Sequence, residues 1–488
     1  MIGSAIVLCI VVYFTNIPLG IPSDWVWSRH QQITFPIFEF ITLSMFLAIS
    51  IFFTYVIRKH TRNMKEIWVC VALILGCGMF TDYYMMQVGK FGINENIFGI
   101  LDKYTGGYMT SAANIKEPGK YLSNFHLLLE RDEDKSNHLD VHPPGNVMLS
   151  YIVLQCCRNS PLPHRILNTI LPEAVFKELQ TARHDGVFQD VPDNENIYTA
   201  AAFMLLLMTV GITLARLLII LSAINLCRYR GNLGLAALLA AVTVPSSILF
   251  LGHYDVLMFF LGALCFYTFT LKKNEKRGFY WDALTGFLLG ISVLFSLAFG
   301  AMILLYFLYC FCMGFTERRY WLRGAAIASG GLIVILLCYC FNIRIIQICY
   351  YAARNNGRYF AEAGRSMFWG PVNLLDYLLF GGVFLFYMPL SEISRVSIHK
   401  LRTLKNKRFI MLACYLAILL FLLVSPFSRG EMGRLLLFFK PCGLILSTSA
   451  LMRKKLDDQT WYLFIIVAIL SLLLIFLSRI TLKLIMIL

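Results

Sequence analysis

The chain of 488 residues contains little charge. Asp, Glu, Lys and Arg make up only 15% of it and hydrophobic residues 58%, whereas soluble domains usually have about 25% charged residues. The apolar residues form runs of about 16–28, long enough to cross a bilayer core of roughly 30 Å as helices. These properties exclude a soluble enzyme, a fibrous protein, a disordered chain and a β-barrel.

Two further absences limit the kinds of structure and function that the sequence allows. Cysteine is missing from the long polar stretch between Gly89 and His142, and most of the 14 cysteines lie inside apolar runs. We therefore expect free, mostly buried thiols rather than a disulfide framework. The chain also has no Gly-rich nucleotide loop, which argues against direct use of ATP.

The apolar runs predict an all-α polytopic membrane protein with about thirteen transmembrane helices. The first run lacks a basic n-region and an A-x-A cleavage site, so we interpret 1–19 as a membrane helix rather than a signal peptide. The predicted spans are 2–19, 35–57, 67–88, 198–227, 232–251, 256–271, 282–297, 299–315, 324–342, 372–390, 409–425, 435–452 and 461–478.

The net charge of +15 is concentrated in alternate short loops. By the positive-inside rule these loops are cytoplasmic, so the basic excess indicates membrane topology and predicts no nucleic-acid partner. The basic loops lie near residues 58–65, 228–230, 272–277, 318–323, 395–408 and 453–455.

The remaining polar residues collect on the opposite, outward face. The outer loop 89–197 is too long for a simple connector. Within it, Pro143-Pro144 is predicted to start a short helix over Asn146–Cys156, too short to cross the bilayer. Arg216 is the only charged residue that we expect deep inside a span, and this argues against a transporter with a polar path through the membrane.

Four motifs on this outward face resemble those of the GT-C superfamily of membrane glycosyltransferases, including protein O-mannosyltransferases and aminoarabinose transferases. Asp102-x5-Tyr108-x3-Ala112 resembles the acidic opening of the first outer loop. His142-Pro143-Pro144-Gly145 resembles the motif that starts a juxtamembrane helix. Tyr254-Asp255 resembles an aspartate at the outer edge of a span, and Arg429-Gly430-Glu431-x2-Arg434 resembles a G-E-x-x-R element of bacterial members.

The resemblance implies a GT-C-like bundle with a long extracytoplasmic first core loop that contains juxtamembrane helices. The core then covers 67–452, with the outer loop at 89–197. Two additional helices precede it in 1–66, and a last helix follows in 453–488. By this resemblance the protein is expected in the bacterial cytoplasmic membrane, with its active site facing outward and in contact with membrane lipid.

The resemblance also implies a reaction, transfer of a sugar from a polyprenyl-phosphate donor to a glycan, lipid or protein acceptor. It implies a catalytic carboxylate that takes the acceptor proton, either Asp102 or Asp82, and no cofactor or metal. The residues expected to bind the substrates are Tyr108, His142, Pro143, Pro144, Tyr254, Asp255, Arg429, Glu431 and Arg434.

Each of these residues also has a simpler interpretation. Asp82 would be an interfacial anchor beside aromatic residues, and Asp255 would cap the following helix. Glu431 and Arg434 would form a local ion pair of small value. His138 and His142, with Asp140, have spacing suited to a metal on a helix, but the following prolines argue against a helix there.

Two other functions stay open at this point. One is a lipid-linked oligosaccharide transporter or flippase, which needs ionisable residues along a path through the membrane. The other is a protein like the O-antigen ligases or polymerases, which tend to carry an outer loop rich in Arg and His late in the chain. Here the loop 343–371 is only mildly of that kind.

Overall fold

A computed structural model describes residues 1–21, 25–30, 35–60, 63–89, 92–102, 107–130, 138–184, 195–227, 232–271, 275–362, 369–394, 407–424 and 432–483. In this part of the chain nearly every element is an α-helix, which confirms the predicted all-α class. β-Structure in the described residues consists of two antiparallel two-residue strands, β1 (Gly20–Ile21) and β2 (Trp25–Val26), and an isolated bridge between Arg29 and Leu482. All fourteen cysteines are free thiols.

The helices of the first half follow the apolar runs and the outer loop. They are α1 (Ile2–Phe14), α2 (Ile37–Lys59), α3 (Met64–Gln87), α4 (Ile93–Leu101), α5 (Tyr108–Ala113), α6 (Pro118–Glu130), α7 (Gly145–Asn159), α8 (Leu162–Ile170), α9 (Glu173–His184), α10 (Glu195–Leu226), α11 (Leu233–Val242) and α12 (Pro245–Leu249).

The second half is also mostly helical, with helices of varied length. They are α13 (Asp255–Thr270), α14 (Glu275–Val293), α15 (Gly300–Gly314), α16 (Arg319–Cys340), α17 (Ile345–Glu362), α18 (Trp369–Gly381), α19 (Val383–Ser394), α20 (Lys407–Val424), α21 (Met432–Leu435), α22 (Lys440–Met452) and α23 (Asp458–Thr481). Single 3₁₀ turns span His138–Val141 and Leu297–Phe299.

Seven of the described helices are long and apolar enough to cross a membrane, or eight if one bent pair counts as a span. The count of thirteen is therefore not confirmed. The helices α1, α11 and α13 are apolar but shorter, with 10–17 residues. The seven spans are Ile37–Lys59, Met64–Gln87, Asn196–Leu226, Leu297–Gly314, Arg319–Cys340, Lys407–Val424 and Asp458–Thr481.

Breaks inside apolar runs explain part of the difference between the predicted thirteen spans and the seven or eight described. The run predicted as one span over 232–251 is divided into α11 and α12, and Pro245 begins α12. Proline has no backbone N–H and is tolerated in the first turn of a helix but not in its interior. The run predicted over 372–390 bends by 109° between α18 and α19, at Gly382.

Buried charge lies inside the bundle at other places besides Arg216, the charge that we expected deepest inside a span. Lys440, at the start of α22, is fully buried, and its Nζ donates to Ser246 Oγ at 2.5 Å and to the Phe380 carbonyl at 3.3 Å. Asp376 on α18 is also buried, and it accepts a hydrogen bond from Trp27 Nε1 at 2.8 Å.

Candidate functional site

The His142-Pro143-Pro144-Gly145 motif ends at the first residue of α7. The expected short helix is present, and it is longer than predicted, extending over Gly145–Asn159. The Gly145 N–H donates to the Leu294 carbonyl at 2.8 Å, and a Cβ at this position would lie 2.5 Å from the same oxygen. Only glycine allows this close approach, which fixes the start of α7 against the end of α14.

The turn before Tyr254-Asp255 is packed directly on α4. Gly252 has φ +98°, and a Cβ there would lie 2.5 Å from the Asn96 carbonyl oxygen. The side-chain amide of Asn96, oriented with its nitrogen toward Leu251, donates a hydrogen bond to the Leu251 carbonyl oxygen at 2.7 Å. This contact ties the turn before the first residue of α13 to α4, the helix that Asp102 follows.

Asp102 follows the last residue of α4 and is half-buried. Its carbonyl accepts a hydrogen bond from the Gly107 N–H at 3.1 Å, and Thr110 Oγ1 donates to the Leu101 carbonyl at 3.3 Å. These bonds close the corner between α4 and α5. The corner therefore holds Asp102 beside the start of the helix that begins with Tyr108.

An aromatic cluster joins three of the predicted motifs. The ring centroids of Tyr108 and Tyr254 are 4.7 Å apart, and those of Tyr108 and His142 are 6.1 Å apart. The two tyrosines are buried, and the hydroxyl of Tyr254 lies 2.5 Å from Ser150 Oγ on α7. Residues separated by more than 140 positions in the sequence thus meet at one end of the bundle.

Charged side chains lie next to this cluster. Arg434 Nε is 3.2 Å from Asp255 Oδ2, and Arg434 Nη1 is 3.4 Å from His253 Nδ1. Asp255 is the first residue of α13, where a carboxylate is also favoured by the helix dipole, and no side-chain cap bond is formed at that helix start. The local pairing of Arg434 with Glu431 stays a prediction, because Glu431 and Arg429 lie outside the described residues.

The electrostatics of the cluster set the protonation of His142. Burial of the ring, together with the positive charge of Arg434, lowers the pKa of His142 from 6.5 to about 4. The imidazole is therefore neutral at pH 7 and offers one hydrogen-bond donor and one acceptor. Burial and the negative charge of Asp255 raise the pKa of Tyr108, so its phenol stays protonated.

Asp82 pairs with Arg216 rather than with the residues of the aromatic cluster. Its two carboxylate oxygens accept hydrogen bonds from Arg216, Oδ2 from Nη1 at 2.6 Å and Oδ1 from Nη2 at 2.9 Å. Both side chains are buried, with exposures of 0% and 1%. A carboxylate held by both oxygens in a closed ion pair suits a structural role, so among the two predicted carboxylates Asp102 fits a base better.

The described residues contain no group of three or more His, Cys, Asp or Glu side chains suited to a metal ion. The side chains of His138 and Asp140 lie outside the described set, so their predicted metal alternative stays open. The cluster of Lys440, Asp376 and Ser246 escaped the sequence analysis, although a lysine within an apolar run is a usable signal for it.

No protein-family model, curated protein or solved structure matches this chain.

Proposed function

We propose that the protein is a membrane glycosyltransferase of GT-C type. It transfers a sugar from a polyprenyl-phosphate donor to an acceptor at the extracytoplasmic face of a bacterial cytoplasmic membrane. The observation that carries this proposal is the meeting of Tyr108, His142, Tyr254, Asp255 and Arg434 at one end of the helical bundle. The four motifs that contain these residues and Asp102 are the ones whose resemblance suggested sugar transfer.

The chemistry required of such a site matches the residues available. The acceptor O–H attacks the anomeric carbon, the bond from sugar to phosphate breaks, and polyprenyl phosphate leaves. Asp102 takes the proton of the acceptor as a general base. Arg434 stabilises the charge that grows on the leaving phosphate, and Asp255 orients the guanidinium.

The neutral ring of His142, which packs beside the buried ring of Tyr108, suits the hydroxyls of a sugar. A lipid-linked donor is already activated, so the reaction needs no nucleotide. The acceptor remains one of three chemical classes, a glycan, a lipid or a protein.

The test compares Asp102→Asn with the wild-type protein in detergent. It supplies a panel of synthetic polyprenyl-phosphate sugars with glycan, lipid and peptide acceptors and measures released polyprenyl phosphate. Glu117→Gln is the matched control, because Glu117 is an exposed carboxylate of the same outer loop. We expect Asp102→Asn to lose at least about 10²-fold in rate and Glu117→Gln to keep wild-type activity. Full activity of Asp102→Asn would contradict the assignment of the base.

A lipid-linked oligosaccharide transporter is the second candidate, and one observation favours it. The helices α18 and α19 form a pair bent by 109°, and buried Asp376 and Lys440 lie on α18 and α22. Broken helices with buried ionisable groups are common at transport sites. Movement of a labelled lipid-linked sugar across proteoliposomes, without release of polyprenyl phosphate, would support this function.

A further inference from the structure

A cavity of about 260 Å³ lies at the end of the bundle formed by basic segments. Its walls come from the last residues of α10 and α13, from the adjacent ends of α19 and α22, and from the start of α20. Pockets for drug-sized ligands have volumes of about 300–1,000 Å³. This cavity is slightly smaller, so we expect it to admit a headgroup and only a few methylene groups.

This cavity is separate from the candidate active site. Asp255 begins α13 at the active site, and Thr270 ends the same helix at the cavity. At 1.5 Å per residue the two ends are about 22 Å apart. A ligand in the cavity is thus not the sugar that reacts beside Asp255.

The charged residues that line the cavity are mostly positive. Lys407, Arg408 and Arg453 face it, whereas Glu392 is the single carboxylate among the lining residues. Glu392 lies closer to a different cation, Lys454 at 3.0 Å, than to Arg453 at 3.9 Å. Lys407 is also paired, with Glu317 outside the lining, at 2.7 Å. The positive charge left at the cavity is therefore that of Arg408 and Arg453, and an anion would balance it.

The arrangement of these cations increases the preference for an anion. Arg408 donates to the backbone carbonyl of Leu226, and Arg453 acts on it as a like charge. Lys407 and Arg408 are the first two residues of α20, where the helix dipole is also positive. Arg408 and Arg453 are thus two like charges at one cavity beside a positive helix end, and a negative group bound between them would reduce their repulsion.

The cavity lining also includes apolar side chains, among them Phe266, Phe269, Met388 and Leu446. A ligand that suits both the cations and these side chains has a negative head and a hydrocarbon chain. Basic pockets between transmembrane helices bind phosphate-containing lipid headgroups by the same combination of charge and apolar surface.

We infer that this cavity binds the phosphate headgroup of an anionic membrane lipid, with the beginning of an acyl chain against Phe266 and Phe269. The phosphate lies between Arg408 and Arg453. Glu392 limits the affinity because it is the one lining carboxylate. This inference does not depend on the proposed sugar transfer.

The test titrates the full-length protein in detergent with phosphatidylglycerol and counts bound lipid by native mass spectrometry. Phosphatidylcholine with the same chains is the neutral comparison, and inorganic phosphate is the soluble competitor. We expect Arg453→Gln to weaken phosphatidylglycerol binding by about tenfold. Glu392→Gln should strengthen it, a gain that a folding defect does not produce.

Arg318→Gln is the matched control, because Arg318 is an exposed cation of a nearby basic segment that does not line the cavity. It should bind as the wild type does. Equal binding of phosphatidylglycerol by Arg453→Gln and the wild type, or equal binding of phosphatidylcholine, would overturn the inference. Displacement of the lipid by equimolar inorganic phosphate would overturn the part assigned to the acyl chain.

Discussion

Removing the charge of Asp82 tests whether this residue is structural or catalytic. Asp82→Asn keeps the shape of the side chain but leaves the Arg216 guanidinium without its negative partner. Both side chains are at most 1% exposed, so the unpaired cation has no access to water. Removing one partner of a buried ion pair lowers the free energy of unfolding by about 3–5 kcal/mol.

The matched control is Asp458→Asn. Asp458 pairs with Arg58 at the same distance of 2.6 Å, but its side chain is 65% exposed. An exposed ion pair contributes at most about 1 kcal/mol. An unfolding entropy of about 2.1 cal/mol/K per residue amounts to about 1 kcal/mol/K for 488 residues. Asp82→Asn should therefore lower Tm by about 3–5 °C, and Asp458→Asn should lower it by at most about 1 °C.

The assay is thermal unfolding in detergent, followed by intrinsic fluorescence, alongside the donor-consumption assay. The double variant Asp82→Leu with Arg216→Met removes both charges and should recover most of the lost stability, since replacing a whole buried pair is close to neutral. An Asp82→Asn protein that melts with the wild type but has lost all activity would refute the structural role and make Asp82 the base.

Three further predictions follow from the site. Gly145→Ala should lower Tm, because the new Cβ would lie 2.5 Å from the Leu294 carbonyl; unchanged melting would contradict the close approach. The lowered pKa of His142 means that the unfolded chain binds its proton first, so stability is full above pH 6.5 and falls toward pH 4. His142→Gln should flatten the pH dependence of Tm between pH 6.5 and 4. An unchanged slope of Tm against pH would contradict the lowered pKa of His142. Arg434→Gln should slow donor cleavage by about 10²-fold, and Asp255→Asn should have a smaller effect; the reverse order in kcat would reject the role given to Arg434.

The parts of the fold that could be predicted are those determined by local sequence. The apolar runs predict helices because a backbone in lipid must satisfy its own hydrogen bonds. The start of α7 follows from Pro143-Pro144, since proline fits the first turn of a helix. Assigning the loops of Tyr108, His142 and Tyr254 to one face of the membrane predicted that they lie on the same side, and the contacts among them agree with that assignment.

The interior of the bundle could not be predicted in the same way. Hydropathy treats each apolar run as one straight span, so it misses the break before Pro245 and the bend at Gly382. It also averages a lone charge into its apolar neighbours. Hydropathy therefore does not reveal Lys440 and Asp376, whose partners Ser246 and Trp27 come from distant parts of the chain.

The measurement that tests the central claim most directly is made on the purified wild-type protein in proteoliposomes. Labelled polyprenyl-phosphate sugar is supplied on both sides, with glycan, lipid and peptide acceptors, and both donor cleavage and donor movement are followed. Glycosyl transfer predicts release of polyprenyl phosphate that depends on the acceptor, with no net movement of intact donor. Movement of intact donor without cleavage would contradict the account and favour a transporter.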